Sequence, residues 1–151
     1  MTLPNGTTRR HVLLVEDDLA DAHLVRLAIG EETGKVAVHH VLDGLEAFEF
    51  LKRSEQRSAT APRPDLILLD LNMPRMDGRE FLAELRHSPD LMDIPVVVLT
   101  TSDVERDVLA SYQLGAAGYV VKPVDLDEFT QAMRRLQDYW FSLTRLPPSR
   151  S

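Results

Sequence analysis

The chain contains no cysteine, and this absence excludes several classes of protein at the outset. Without cysteine there can be no disulfide, no thiolate metal site and no cysteine nucleophile. Long hydrophobic runs are lacking as well: no stretch approaches the roughly 18 apolar residues of a membrane span, and the opening MTLPNGTTRR has no apolar signal-peptide segment. We therefore expect a cytoplasmic protein with no membrane partner.

Basic residues are scarce relative to acidic ones. The 151 residues include 17 lysines and arginines against 24 aspartates and glutamates, which gives a formal net charge of -7. Proteins that bind nucleic acid directly usually present a basic surface, so we expect no nucleic-acid partner and favour a protein or a cation. The length is that of a single domain.

Five short apolar segments alternate with amphipathic ones. The apolar segments are, in order, HVLLVED, VAVHHVLD, DLILLDL, IPVVVLTT and GYVVKP. Their hydrophobicity is continuous, which is typical of parallel strands covered on both faces. Apolar residues at helical spacing mark the intervening helices, among them Leu24, Leu27 and Ala28 in the first and Val108, Leu109 and Tyr112 in the fourth. This alternation predicts an α/β fold: a doubly wound, five-stranded parallel sheet with helices on both faces.

Several polar residues have ordinary structural interpretations. Asp18 is predicted to cap the first helix, and Asp43-Gly44 and Asp77-Gly78 are predicted to form turns. The five histidines show no metal-ligand spacing, so all are predicted to be structural or on the surface: His11, His23, His39, His40 and His87.

A different set of polar residues ends the predicted strands. These are Glu16 and Asp17 after the first strand, Asp70 after the third, Thr100 after the fourth and Lys122 after the fifth. The carboxyl ends of parallel strands share one edge of the sheet, and ligands of open α/β folds bind there. We therefore expect three acids, one hydroxyl and one ammonium group to converge on a single site.

This combination of groups suits phosphoryl chemistry. Three neighbouring carboxylates repel one another unless a cation lies among them, and oxygen ligands without histidine or cysteine favour Mg²⁺. Lys122 would add a positive charge and Thr100 a hydrogen-bond donor, so the groups together could stabilise a phosphoryl group in transfer. A carboxylate among them can act as nucleophile and form an aspartyl phosphate, and Asp70 is the central candidate.

The motifs LLVEDD, LLDLNMPRMDG, VVVLTT and YVVKP resemble those of receiver domains of bacterial two-component response regulators. The likeness runs from about His11 to Leu136, in the family's order and close to its spacing. It implies a flavodoxin-like receiver of strand order 2-1-3-4-5 over residues 10–141, with a flexible arm at 1–9 and a tail at 142–151. It also implies a protein that catalyses only its own phosphorylation and dephosphorylation.

The resemblance assigns roles to the residues around the phosphorylation site. Asp70 would accept a phosphoryl group from a phosphohistidine of a sensor histidine kinase. Asp17 would bind Mg²⁺ directly and Glu16 through water, with the backbone carbonyl of Asn72 as a third protein ligand.

The same resemblance implies a switch next to this site. Thr100 and Lys122 would contact the phosphoryl group, and Tyr119 would swing from an exposed to a buried position when the threonine moves. The Lys122-Pro123 bond would be a cis peptide.

A narrower likeness points to the small single-domain regulators that partner bacterial phytochrome kinases. It is carried by the VEDD start, the long segment before the third strand and the ending DYWFSLTRLPP. Because the segment after the fifth helix is short, we expect the signal to leave by protein contact or phosphorelay.

Three alternatives share parts of this pattern. A haloacid-dehalogenase phosphatase also uses a strand-end aspartate and Mg²⁺, but its general acid would stand where this chain has Asn72. A flavin-binding module would need a hydroxyl-rich loop in place of EDDLAD. A degenerate receiver that serves only for docking would have lost motif positions that are intact here.

The C-terminal third carries an aromatic cluster. Leu126, Phe129, Met133 and Leu136 form one apolar stripe, which Trp140 and Leu143 continue. Tyr139 and Phe141 flank Trp140 at about 100° on either side, so the three rings cannot all enter one core. We expect a homodimer built on this surface; in the alternative, the LTRLPP tail covers the spare ring.

Overall fold

The computed structural model describes residues 9–30, 34–56, 61–71, 73, 76–101, 105–122 and 125–138. Strands and helices alternate strictly in these residues. They are β1 (Arg10–Val15), α1 (Leu19–Ala28), β2 (Val36–Val41), α2 (Gly44–Glu55), β3 (Leu66–Leu69), α3 (Gly78–Arg86), β4 (Val96–Thr100), α4 (Glu105–Gln113), β5 (Gly118–Val121) and α5 (Leu126–Asp138). No helix in the described part of the chain is both long and apolar enough to cross a membrane.

The strands form one parallel sheet of order β2-β1-β3-β4-β5. This confirms the predicted fold class and strand order. Because all strands run in the same direction, the residues that follow β1, β3, β4 and β5 come together at the carboxyl edge of the sheet.

Two hydrophobic cores cover the two faces of the sheet. Alternate strand residues point to opposite faces, so Val98 packs with Phe50 and Phe81 on one face, while Leu99 packs with Val25 and Phe129 on the other. We call these the α2/α3 face and the α1/α5 face. Helices on both faces make the fold doubly wound, as predicted.

Three aspartates begin the helices that follow β1, β2 and β3. The carboxylates of Asp18, Asp43 and Asp77 each accept a hydrogen bond of 3.0 Å from the backbone N–H three residues later. The predicted cap at Asp18 is confirmed, and both predicted Asp-Gly turns are the N-caps of helices α2 and α3.

Not every apolar residue at helical spacing faces a core. Leu27 is 54% exposed on α1, whose buried face is formed by Ala22, Val25 and Ala28. On α4, Leu109 and Tyr112 are also exposed. Strand β5, at one edge of the sheet, is only half-buried, whereas the sequence predicted five strands covered on both faces.

Several predictions concern residues outside the described ranges. These are the arm before residue 9, the tail at 142–151 and the aromatic residues Tyr139, Trp140 and Phe141. Within α5 the predicted apolar stripe is confirmed where it is described, since Phe129 and Met133 are buried and Leu136 is partly buried against the same core.

Candidate functional site

The predicted site residues are held at the carboxyl edge by hydrogen bonds of the sheet. The Asp70 N–H donates to Val15 O at 3.0 Å, which fixes the start of the loop after β3 against the end of β1. The Lys122 N–H donates to Thr100 O at 2.7 Å and joins the ends of β4 and β5. The positions of these side chains are therefore set by backbone pairing.

The ammonium group of Lys122 lies among three carboxylates. Its Nζ donates hydrogen bonds to Glu16 Oε1 and, at 2.9 Å, to Asp21 Oδ2. A longer contact of 3.5 Å joins it to Asp70 Oδ2. Burial alone would lower the pKa of Lys122, but the hydrogen bonds to Asp21 and Glu16 and the neighbouring negative charges outweigh it and raise the pKa. The carboxylate partners of Lys122 thus favour the charged form of its buried ammonium group.

Glu16, Asp17 and Asp70 form what we call the acid cluster. Each offers a carboxylate oxygen, and within the described part of the chain these oxygens lie within 4.8 Å of one another. Glu16 and Asp70 are buried, whereas Asp17 is exposed. Burial of Glu16, helped by the nearby Asp70 and opposed by Lys122, raises the pKa of Glu16 well above its usual value. The oxygen-only donor set and the crowded negative charge fit a hard divalent cation.

Helix α3 begins directly against the acid cluster. Gly78, its first residue, donates its N–H to Leu71 O at 3.0 Å. A Cβ atom at Gly78 would lie 2.5 Å from the Asp70 carbonyl oxygen, so only glycine allows this approach. The backbone of Asp70 is therefore packed against a helix end.

Thr100 and Tyr119 lie on the same face of the sheet. Thr100 is fully buried at the end of β4, and strand alternation places it on the α2/α3 face with Val98. Tyr119 pairs with Val98 in the sheet and packs against the core of that face. Tyr119 is half-buried, not exposed as the sequence predicted, because this packing covers part of the ring.

Two contacts of the site were missed from the sequence. Asp21 lies on α1 and accepts a hydrogen bond from Lys122. In the sequence, the sole signal for this contact is that Asp21 follows Asp17 by about one helical turn. The ring of His40, on β2, contacts the Glu16 carbonyl oxygen through Nε2 at 2.6 Å, so this histidine supports the backbone of the acid cluster. Asn72 and Pro123 lie outside the described residues, and so do the predicted carbonyl ligand and cis peptide.

Comparison with known proteins identifies the same family throughout. Residues 12–134 match the response regulator receiver domain. The chain is 43% identical to the response regulator Rcp1 of Synechocystis sp. over 136 residues, which cover 90% of this chain and 92% of Rcp1.

Solved structures show the likeness in three dimensions. The phosphorylated cyanobacterial phytochrome response regulator RcpA superposes with a TM-score of 0.85 at 43% identity, covering 93% of this chain and 100% of RcpA. The Mn²⁺-bound form of Rcp1 gives a TM-score of 0.82 at 42% identity, covering 92% of this chain and 99% of that one.

These matches leave the phosphatase alternative without support and confirm the predicted likeness to phytochrome response regulators. They agree with the sheet order and with the motifs at the strand ends. The chain belongs to the family of response regulator receiver domains.

Proposed function

We propose that this response regulator accepts a phosphoryl group on Asp70 from a sensor histidine kinase. The observation that carries the proposal is the position of Asp70, which has a carboxylate oxygen within 4.8 Å of those of Glu16 and Asp17 and another contact of 3.5 Å with the ammonium group of Lys122. Phosphoryl transfer to a nucleophile depends mainly on positioning and on positive charge close to the phosphoryl oxygens.

The transfer needs no general base. A carboxylate oxygen of Asp70 would attack the phosphorus of a phosphohistidine and form a new O–P bond. The P–N bond would break, and its electron pair would stay on the imidazole nitrogen of the kinase. Lys122 would donate to the phosphoryl oxygens, and the Thr100 hydroxyl would turn towards them.

The acid cluster would hold Mg²⁺ during this reaction. Glu16, Asp17 and Asp70 provide the carboxylates, and the backbone carbonyl of Asn72 is the further ligand that we propose. When bound, the ion would neutralise charge on the phosphoryl oxygens.

The partner that we propose is a bacterial phytochrome kinase. Rcp1 and RcpA are similar to this chain over nearly their whole length, and RcpA is a phytochrome response regulator. The phosphorylated domain would signal by protein contact or by passing the phosphoryl group on, and it would act on no other substrate.

Phosphorylation of purified protein tests the nucleophile. With Mg²⁺ and acetyl phosphate, the wild-type chain should gain one hydroxylamine-sensitive phosphoryl group, and Asp70→Asn should gain none. Asp18→Asn is the matched control, because it removes a nearby exposed acid while the asparagine still caps helix α1. Phosphoryl label that persists in Asp70→Asn would refute the assignment.

We further propose a homodimer formed by the surface of Tyr139, Trp140 and Phe141. The supporting observation is that α5 buries Phe129 and Met133 on one face, and three consecutive rings at helical spacing cannot all continue that face. Sedimentation at micromolar concentration should show a dimer. Tyr139→Ala or Phe141→Ala should weaken this dimer, and Arg135→Ala, a change at an exposed position of α5, should leave it as in wild type. A wild-type monomer, with and without beryllofluoride, would exclude it.

A further inference from the structure

We propose that Asp21 is a positioning residue that competes with the phosphoryl group for Lys122. The inference rests on the proposed function, since it concerns the cation that would contact the phosphoryl oxygens. It assigns a role to a carboxylate that lies on a helix and outside the acid cluster.

Lys122 has a limited number of hydrogen-bond donors. An ammonium group has three N–H bonds. In the structure they are directed to Glu16, to Asp21 and to Asp70. A phosphoryl oxygen on Asp70 can therefore gain a hydrogen bond from Lys122 only if a carboxylate loses one.

The carboxylates share the ammonium group of Lys122 unevenly. The contact to Asp21 is 2.9 Å long, whereas the contact to Asp70 is 3.5 Å. The hydrogen bond to Asp21 therefore draws Nζ towards α1 and away from the residue that would carry the phosphoryl group.

The carboxylates around Lys122 differ in their exposure to water. The side chain of Asp21 is 32% exposed, against 1% for Glu16 and 10% for Asp70. A carboxylate that loses its cation is stabilised by water if it is exposed, but it is costly if it is buried. When Asp70 carries the phosphoryl group, Glu16 and Asp21 are the partners of Lys122 that remain carboxylates, and Asp21 is the one that Lys122 leaves at the lower cost. The negative charge of Asp21 opposes this movement of Nζ towards the phosphoryl oxygens.

A titration of beryllofluoride, an analogue of the phosphoryl group, tests this competition. The full chain is used at saturating Mg²⁺, so that differences in cation affinity do not enter, and binding is followed by fluorine NMR. Asp21→Asn should bind beryllofluoride roughly 2- to 5-fold more tightly than wild type, the range that a partly exposed ion pair supports. Asp21→Ser should behave in the same way, and Asp21→Glu, which keeps the charge, should stay close to wild type.

Asp18→Asn is the matched control for charge alone. It removes one exposed acid near the site, keeps the helix cap and does not contact Lys122. Equal effects of Asp18→Asn and Asp21→Asn would overturn the proposal, because they would reflect net charge only. Weaker binding by Asp21→Asn would overturn it too, since Asp21 would then hold Lys122 in its productive position. If the wild-type chain bound no beryllofluoride, the proposed function itself would fail.

Discussion

Gly78 lies so close to Asp70 that the two backbones are in contact. A Cβ atom at Gly78 would be 2.5 Å from the Asp70 carbonyl oxygen and 2.7 Å from the Cα atom of Leu71. Real Cβ atoms do not approach backbone this closely, so any side chain would push helix α3 away from the acid cluster. The reason for glycine here is close packing.

Gly78→Ala should therefore lower the free energy of unfolding by about 1–3 kcal/mol, the usual cost of overpacking. It should also slow phosphorylation by acetyl phosphate, because Asp70 shifts with its backbone. Urea unfolding measures the first effect. Gly118→Ala is the control, since its Cβ would meet Val97 at an ordinary 3.5 Å. Equal stability of the two variants would contradict the packing explanation.

Thr100→Ala should leave phosphorylation possible but should weaken the response of Tyr119 to it. The variant should still accept a phosphoryl group, but more slowly, because one hydrogen-bond donor is lost. Beryllofluoride should then perturb the NMR signals of Tyr119 far less than in wild type, since the two residues share one face of the sheet. The exposed neighbour Thr101 provides the control Thr101→Ala. An unchanged Tyr119 response would exclude the coupling.

Lys122→Met should destabilise the protein by about 3 kcal/mol when divalent cations are removed, because it leaves buried carboxylates without their cation. Mg²⁺ should restore part of this loss by supplying positive charge to the acid cluster. Thermal unfolding with EDTA and with Mg²⁺ measures both effects. Lys52→Met, a change at an exposed position of α2, should be nearly neutral in either condition. A Lys122→Met protein as stable as wild type in EDTA would disprove the charge balance inferred here.

The stability of the protein should fall when the pH is lowered through 6.5. Burial, opposed by the charge of Asp65, lowers the pKa of His11 below its usual 6.5, and its Nδ1 lies 3.1 Å from Nε2 of His39. Between the two pKa values of His11, the unfolded chain binds more protons than the folded one. The contribution of His11 to the free energy of unfolding is therefore complete above pH 6.5 and is lost as the pH falls towards the pKa of the folded state.

Urea unfolding across this pH range checks the prediction for His11. His11→Gln should flatten the pH dependence, and the exposed His23→Gln should leave it as in wild type. A pH profile that is identical in His11→Gln and wild type would show that another group is responsible.

Most of the fold could be predicted from the sequence because it depends on local patterns. Continuous apolar segments mark buried parallel strands, and a polar residue after each one falls on the shared edge. For this reason Glu16, Asp70 and Lys122 were expected together, and the structure brings them into contact.

The contact of Asp21 could not be predicted in this way. An acid in the first turn of a helix is common because it interacts well with the helix dipole, so it gives no functional signal. Its partner is 101 residues away. The exposure of Leu109 was missed for a related reason: an amphipathic pattern shows which face of α4 is apolar, but it does not show whether anything covers that face.

The long separation between Lys122 and its partners has a consequence for the order of folding. Lys122 follows Asp70 by 52 residues and Glu16 by 106. During synthesis, β1, β2 and β3 leave the ribosome before β5, so the segments that carry the buried acids are made before the segment that carries their cation. Wherever these acids meet before β5 is in place, a proton or a divalent cation must balance their charge. The ammonium group is therefore the last component of the site that the chain supplies.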